Sequence, residues 1–421
     1  MGSTPPLRIA ILGAGISGLA LAAGLTKKPH LSIIVYESVP AHRDVGAGLA
    51  LHLNAIKAMT LIGPDVRAAY FDKAIAISSE EDEEISTKVI LAHGPHSGEL
   101  VAELGKAKGR KSVSRADLLE GLMGCVPQGV VQFGKRVVCV EEVGEGVRIR
   151  FEDGQEEMVD CVIGADGIHS VVRGYVLGEE HEARMPKNHD GWRVYRTLVS
   201  VEEARGMIDE EWTRSVPILL GPRGHVNCIP LNKGTRLSAG VAVRGAAGED
   251  GGLDPELYKD YSEEARKIVR MVARDTAASW NVGDHDHAPV YCKGRVVMMG
   301  DAAHASLPFA GNGAAQALED AAVLDHLFGR VKRASQVESA FKAFDAVRRP
   351  RSQAVVNLAR AFGRVYAYAE GDMHENPQKM RDFFAGAAAF TNEVDLKKQN
   401  DDAMEMYERL MRGRNKAPRS S

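Results

Sequence analysis

The feature that most constrains how this chain can fold is Gly13-Ala14-Gly15-Ile16-Ser17-Gly18, set between an apolar run and a helical one. Residues 7–12 are mostly apolar and rich in branched side chains, which predicts a strand buried in a parallel sheet. Gly13, Gly15 and Gly18 then form a G-x-G-x-x-G turn into a helix expected to reach about Lys28. Such glycines serve a tight turn, a close approach of backbone to a pyrophosphate, and close helix–strand contact. The helix start, with Ser17 counted among the cofactor contacts, offers unpaired N–H groups and partial positive charge to phosphates. A second apolar strand, residues 31–36, ends in Glu37, at about the interval from Gly18 where an acid meets a ribose. A carboxylate there accepts from a 2′-hydroxyl and repels a 2′-phosphate, so the expected ligand is FAD or NAD and not NADP.

Two further glycine motifs lie far along the chain. Residues 137–143, 146–151 and 158–163 read as three strands joined by turns. The third runs into Gly164-Ala165-Asp166-Gly167, followed by Ser170 and Arg173. Asp-Gly is a common turn pair, but here a helix-like segment follows it. Residues 296–299 form a short apolar strand ending at Gly300-Asp301, where Asp301 is fit to accept from a ribitol hydroxyl. Gly311-Asn312-Gly313 then opens a helix to Phe328, with Asn312 as its expected cap and apolar residues at helical spacing. Gly311 and Gly313 let a planar ring lie against that helix start, whose dipole favours negative charge on the ring. A reduced flavin carries such charge on its pyrimidine side. In this order the motifs describe one extended cofactor, FAD. His304 reads as a structural strand-exit histidine bonded to backbone, with proton transfer as the alternative.

On these residues the chain resembles the class A (single-component) flavoprotein aromatic hydroxylases of the p-hydroxybenzoate hydroxylase fold, and is most similar to their salicylate hydroxylase-like branch. Arg43-Asp-Val-Gly46-Ala-Gly48-Leu resembles the family's R-x-x-G-A-G-I stretch beside the flavin. Ser114-Arg115-Ala-Asp117-Leu-Leu resembles its R-x-x-L helix start, whose Arg reaches FAD. The resemblance implies that Asp166 serves both FAD and a reduced nicotinamide, and that Asp301 holds the ribitol. It also implies NADH or NADPH as transient reductant, and O2 that reacts through a C4a-hydroperoxyflavin to hydroxylate a small phenolic or salicylate-like aromatic. The expected fold is α/β: a Rossmann-like FAD-binding domain, a mixed β-sheet substrate domain and a helical C-terminal region. Because the cofactor motifs are scattered, the FAD domain is discontinuous, residues 1–70, 110–180 and 290–350. Residues 71–109 and 181–289 make the substrate domain, and 351–421 the C-terminal helices.

An anionic aromatic substrate calls for a cation or strong donor in its pocket. Gly191-Trp-Arg193-Val-Tyr195-Arg196 resembles the family's F-R-G-L-I strand, whose Arg in some members binds the substrate oxyanion. Strand alternation puts Arg196 on the face of Val194, away from Arg193 and Tyr195. A salt bridge is its other reading. His225, in Gly221-Pro-Arg-Gly-His225-Val-Asn-Cys-Ile229-Pro230, matches the G-x-x-x-H stretch of related hydroxylases. It reads either as a base near neutral pH or as a satisfied strand histidine. Those relatives usually carry Tyr before the proline. Ile229 stands there instead and points to a different or more apolar substrate. The alternatives are a flavin monooxygenase oxidising or epoxidising an indole, alkaloid or polyketide, and a non-catalytic flavin- or NAD-binding protein.

A net charge of −4 gives no footprint for nucleic acid or an anionic membrane. Five scattered cysteines without C-x-x-C read as free thiols in a reducing cytoplasm. No apolar run is long enough for a membrane span. His285-Asp-His287 lacks a third ligand, so it reads as surface and no metal is expected. There is one dinucleotide fold for FAD to fill, so the nicotinamide is expected to bind transiently across the flavin face. A monomer or homodimer is expected.

Overall fold

The computed structural model describes residues 5–41, 48–76, 84–108, 111–231, 234–246 and 252–416. Leu7–Leu12 is an inner strand of a six-stranded sheet ordered Cys292–Lys293, Val296–Met298, Cys161–Gly164, Leu7–Leu12, Leu31–Tyr36, Val131–Gln132. Neighbours run parallel except at the Cys292–Lys293 edge. Ile9, Ala10 and Ile11 are wholly buried, so both faces of this strand are covered, as its continuous apolar run requires. Helix Ile16–Leu25 packs on helix Gly313–Phe328. Tyr36 meets Phe151 of a three-stranded antiparallel layer, ring centroids 4.7 Å apart.

Residues 158–163 do not form one strand. The chain makes two, Glu156–Val159 and Cys161–Gly164, separated by Asp160. The Asp160 carboxylate accepts from the Arg8 backbone N–H at 2.8 Å and from its guanidinium at 3.2 Å, and Asp160 N–H donates to Arg8 O at 2.9 Å. That clip hands the chain from the antiparallel layer to the parallel sheet. The first helix also stops at Leu25, short of Lys28.

The second large sheet has seven strands: Ser279–Asn281, Arg193–Ser200, Arg236–Val243, Gly224–Leu231, Ile218–Gly221, Glu84–Leu91 and Leu100–Lys108. It is mixed, with Ile218–Gly221 parallel to Glu84–Leu91. Alternation sorts its side chains. Tyr195, Val226, Cys228 and Val241 pack with Ile268 and Val272 of helix Glu263–Ala273. Val194, Leu220 and Ala242, on the other face, pack with Trp192, Leu307, Phe309 and Phe362. The second face therefore looks toward the loop that follows Asp301.

The C-terminal region starts earlier than expected. Helix Ala334–Tyr366 runs through Pro350, so a boundary at 350/351 would cut a continuous element. Helices Pro377–Asn392 and Leu396–Lys416 follow. Phe362 touches Phe383 and Phe384, each at 5.3 Å between centroids, tying the long helix to the next.

Candidate active site

The three glycine motifs meet at the C-terminal ends of the parallel strands, where open α/β sheets bind their ligands. Gly13 has φ +105°, and a Cβ on it would stand 2.3 Å from Ala165 O, which ties the first motif to the second. Met299 N–H donates to Gly164 O at 2.8 Å, joining the second motif to the third. A Cβ on Gly300, at φ +56°, would lie 3.0 Å from Ser17 Oγ, closing the set. A Cβ on Gly15 would meet nothing within 4 Å, so this side of the turn is open for a phosphate.

Glu37 is already oriented. Its carboxylate accepts from Ala14 N–H at 2.8 Å, Val39 N–H at 3.0 Å and Ser38 Oγ at 3.1 Å. A carboxylate has about four acceptor positions, so capacity remains for a ribose hydroxyl. Asp301 is exposed, and among the described residues its carboxylate has no hydrogen-bond partner. Surrounding protein pushes its pKa up, while the charges of His304 and Arg115 pull it down. Arg115 starts helix Arg115–Gly124, which Ser114 caps by accepting from Asp117 N–H at 3.0 Å. Arg43 and Gly46 lie outside the described residues. Gly48 is packed against the second sheet: a Cβ there would stand 2.9 Å from Leu231 and 3.0 Å from Ile229.

Asn312 occupies the cap position of helix Gly313–Phe328, but its side chain makes no cap. It turns inward and accepts from Asn54 Nδ2 at 2.9 Å. The first N–H groups of the helix, from Gly313 on, are left without a side-chain cap. Gly311, at φ +61°, turns the chain into that start.

The half-buried Asp166 carboxylate accepts from Ser170 Oγ at 2.6 Å and from Val171 and Val172 N–H at 2.8 and 3.1 Å. Those bonds fix the start of helix Val171–Leu177. Arg173 is fully buried and donates only to carbonyls, those of Ala183, Ala302, Ala303 and Asp286. Burial lowers its pKa to about 10. Through the Ala302 and Ala303 carbonyls, Arg173 holds the segment that follows Asp301.

A buried polar network lies beneath the cofactor motifs, and sequence reasoning missed it. His304 Nε2 bonds a side chain, Asp320 Oδ2 at 2.6 Å, and not backbone. The same oxygen accepts from Gly300 N–H at 2.8 Å. Arg348 reaches Asp320 at 2.7 Å and Glu319 at 2.6 Å, and Arg351 reaches Glu319 at 2.7 Å. Asn54 joins Glu319 to Asn312. Burial raises the Asp320 pKa, but His304 and Arg348 outweigh it and hold the carboxyl at about 2. The available signal was an acid pair, Glu319-Asp320, in the middle of an otherwise apolar helix.

The second face of the seven-stranded sheet carries the expected substrate residues. Arg196 is half-buried, and its guanidinium lies over the Trp280 ring, 5.2 Å from the centroid. Among the described residues it has no acidic partner, and burial lowers its pKa. His225 packs edge-on against Phe309 at 5.1 Å and Tyr366 at 4.9 Å. Burial pushes its pKa down to about 3, so the expected base near neutral pH is a neutral imidazole. It is not a satisfied histidine either: His225 Nδ1, Trp192 Nε1 and Tyr366 OH are all buried without a hydrogen-bond partner. His285, expected at the surface, is buried. Among the described residues no group of three His, Cys, Asp or Glu could hold a metal. No described helix is long and apolar enough to cross a membrane.

The residues present fit FAD. The open side of Gly15, the oriented Glu37, the unpartnered carboxylate of Asp301 and the uncapped start at Gly313 follow one another along the strand ends. A family model described as an FAD binding domain matches residues 105–359. The 6-methylsalicylate 1-monooxygenase atA of Aspergillus terreus is 35% identical, over 95% of this chain and 92% of that protein. A salicylate hydroxylase of Pseudomonas putida is 33% identical, over 88% and 89%. A solved salicylate hydroxylase substrate complex superposes with a TM-score of 0.80 at 29% identity, covering 95% of this chain and 98% of that one.

Proposed function

We propose, from the premise that this chain belongs to the FAD-dependent monooxygenase family, in its salicylate hydroxylase-like branch, that it uses NADH or NADPH and O2 to hydroxylate a small anionic aromatic. Bound FAD supplies electron transfer and oxygen activation. The chain's own residues bind, orient and exclude water. Glu37, Asp301, Arg115 and the helix start at Gly313 hold the cofactor, and the positive end of that helix favours charge on the reduced ring. No second glycine-rich dinucleotide turn is present, so the nicotinamide meets the flavin face transiently.

The observation that carries the substrate reading is Arg196. A half-buried guanidinium with an aromatic face and, among the described residues, no acid beside it is a cation awaiting an anion. It shares a face with Val194, which packs toward Phe309. Paired with a phenol or carboxylate, it favours the ionised, electron-rich substrate. His225 stays neutral and orients substrate by hydrogen bonding, with no proton to gain near pH 7. Ile229, in place of a phenol, leaves part of the wall apolar and supports a reading in which the substrate carries an alkyl group.

Arg196→Gln tests this. It should cut product formation far more than flavin reduction and raise the share of O2 released as peroxide. Unchanged rate and unchanged product per nicotinamide would remove Arg196 from the site.

A further inference from the structure

The register of the seven-stranded sheet sets Arg196, Gly240 and Asn227 side by side across three strands. Paired residues point to one face, so all three look toward the flavin loops. The row is bracketed. On one side His225 meets Phe309, and on the other Ile229 lies against the Gly48 backbone. The site's two flavin-side landmarks thus flank this row, and the middle of the row has no side chain.

Gly240, having no side chain, leaves room for the Asn227 carboxamide. A Cβ there would stand 2.7 Å from Asn227 Oδ1, so the carboxamide lies over Gly240 and leans toward Arg196. Asn227 is half-buried and, among the described residues, its carboxamide has no hydrogen-bond partner. Two strand spacings, about 10 Å, separate the Arg196 and Asn227 backbones, and the carboxamide reaches into that gap over Gly240. The two ends differ in chemistry. A guanidinium only donates; a carboxamide both donates and accepts.

We propose that Asn227, its carboxamide seated over Gly240 beside Arg196, is a specificity-determining residue that reads a hydroxyl next to the substrate's anionic group. This rests on Arg196 as the anion anchor. The substrate class that satisfies both ends is a hydroxybenzoate with the hydroxyl beside the carboxylate. A ring with the carboxylate alone leaves Asn227 unpaired and gains nothing from it.

The test is titration of the FAD-bound enzyme with salicylate and with benzoate, read by the flavin absorbance change, with KM and kcat alongside. Asn227→Leu should weaken salicylate binding roughly tenfold and leave benzoate binding and flavin content unchanged. Asn227→Thr, which suits a strand, should move salicylate the same way and guards against misfolding of the Leu variant. Gly240→Ala should weaken salicylate as well, because its Cβ would take the place of the carboxamide oxygen. If Asn227→Leu and Asn227→Thr leave salicylate unchanged, or shift both ligands alike, while Arg196→Gln weakens both, the proposal falls and the anchor stands. If Arg196→Gln changes neither ligand, or salicylate leaves the wild-type flavin spectrum unmoved, the anchor reading fails and takes this proposal with it.

Discussion

His304 Nε2 lies 2.6 Å from Asp320 Oδ2, in a site where both side chains are almost completely buried. The same oxygen holds the N–H of Gly300, and the other Asp320 oxygen takes the Arg348 guanidinium. Asp320 is therefore the post on which the Gly300-Asp301 turn is fixed to the long C-terminal helix. Sequence-distant residues thus set where Asp301, the carboxylate proposed to hold the ribitol, stands.

Removing that post should be costly. Asp320→Ala leaves a buried guanidinium and imidazole without their partner, which costs roughly 3–5 kcal/mol. Urea unfolding of the FAD-bound enzyme measures it. The pH sign follows from the depressed pKa. Asp320 sits at about 2 in the folded protein against an ordinary 3.8, so its contribution is present above about pH 4 and is lost as pH falls toward 2. A loss below 1 kcal/mol for Asp320→Ala would show the network to be dispensable.

The glycines of the first turn should separate folding from cofactor binding. Gly13→Ala puts a Cβ 2.3 Å from Ala165 O at φ +105°, so it should fail to yield stable protein. Gly15→Ala meets no protein atom, and Gly15 has φ −76°, which any residue adopts. Its apo-protein should melt within about 0.5 kcal/mol of wild type, while its flavin content falls because the methyl takes phosphate space. Gly15→Ala protein that keeps full flavin would place the pyrophosphate elsewhere.

Asp301→Ala should purify largely colourless. Loss of a charge-assisted hydrogen bond of roughly 1.5–3 kcal/mol lowers FAD affinity ten- to a hundredfold. Apo stability should hold, because the carboxylate is exposed and has no hydrogen-bond partner among the described residues. Flavin release followed by fluorescence gives the affinity, and an unchanged value would remove Asp301 from the ribitol.

Much of this was legible in the sequence because it rests on local rules. A branched apolar run, a glycine turn and a strand-end acid specify the Gly13–Glu37 unit from short-range sterics and hydrogen bonding. Arg196 was placed on the correct face by alternation alone. What could not be read depends on groups that meet only after folding. The Asp-Gly pair at Asp166 did not show that three donors within six residues would bond its carboxylate. His225 carries no mark in the sequence of the aromatic rings that hold it neutral. Asn54, Asp320 and Arg348 come from three distant segments, and only the packed helices show them to be one network. The strand break at Asp160 needed Arg8, on the far side of the sheet's connectivity, to appear.

The most direct test of the central claim is hydroxylated product formed per NAD(P)H oxidised by the purified yellow enzyme, across salicylates, phenols, benzoates and indoles. An ortho-hydroxybenzoate should speed NAD(P)H oxidation, consume O2 in equal amount and give hydroxylated product in near-equal amount, with little peroxide. NAD(P)H oxidation that no aromatic in the panel stimulates, or that ends entirely in peroxide with every one of them, would contradict an aromatic hydroxylase.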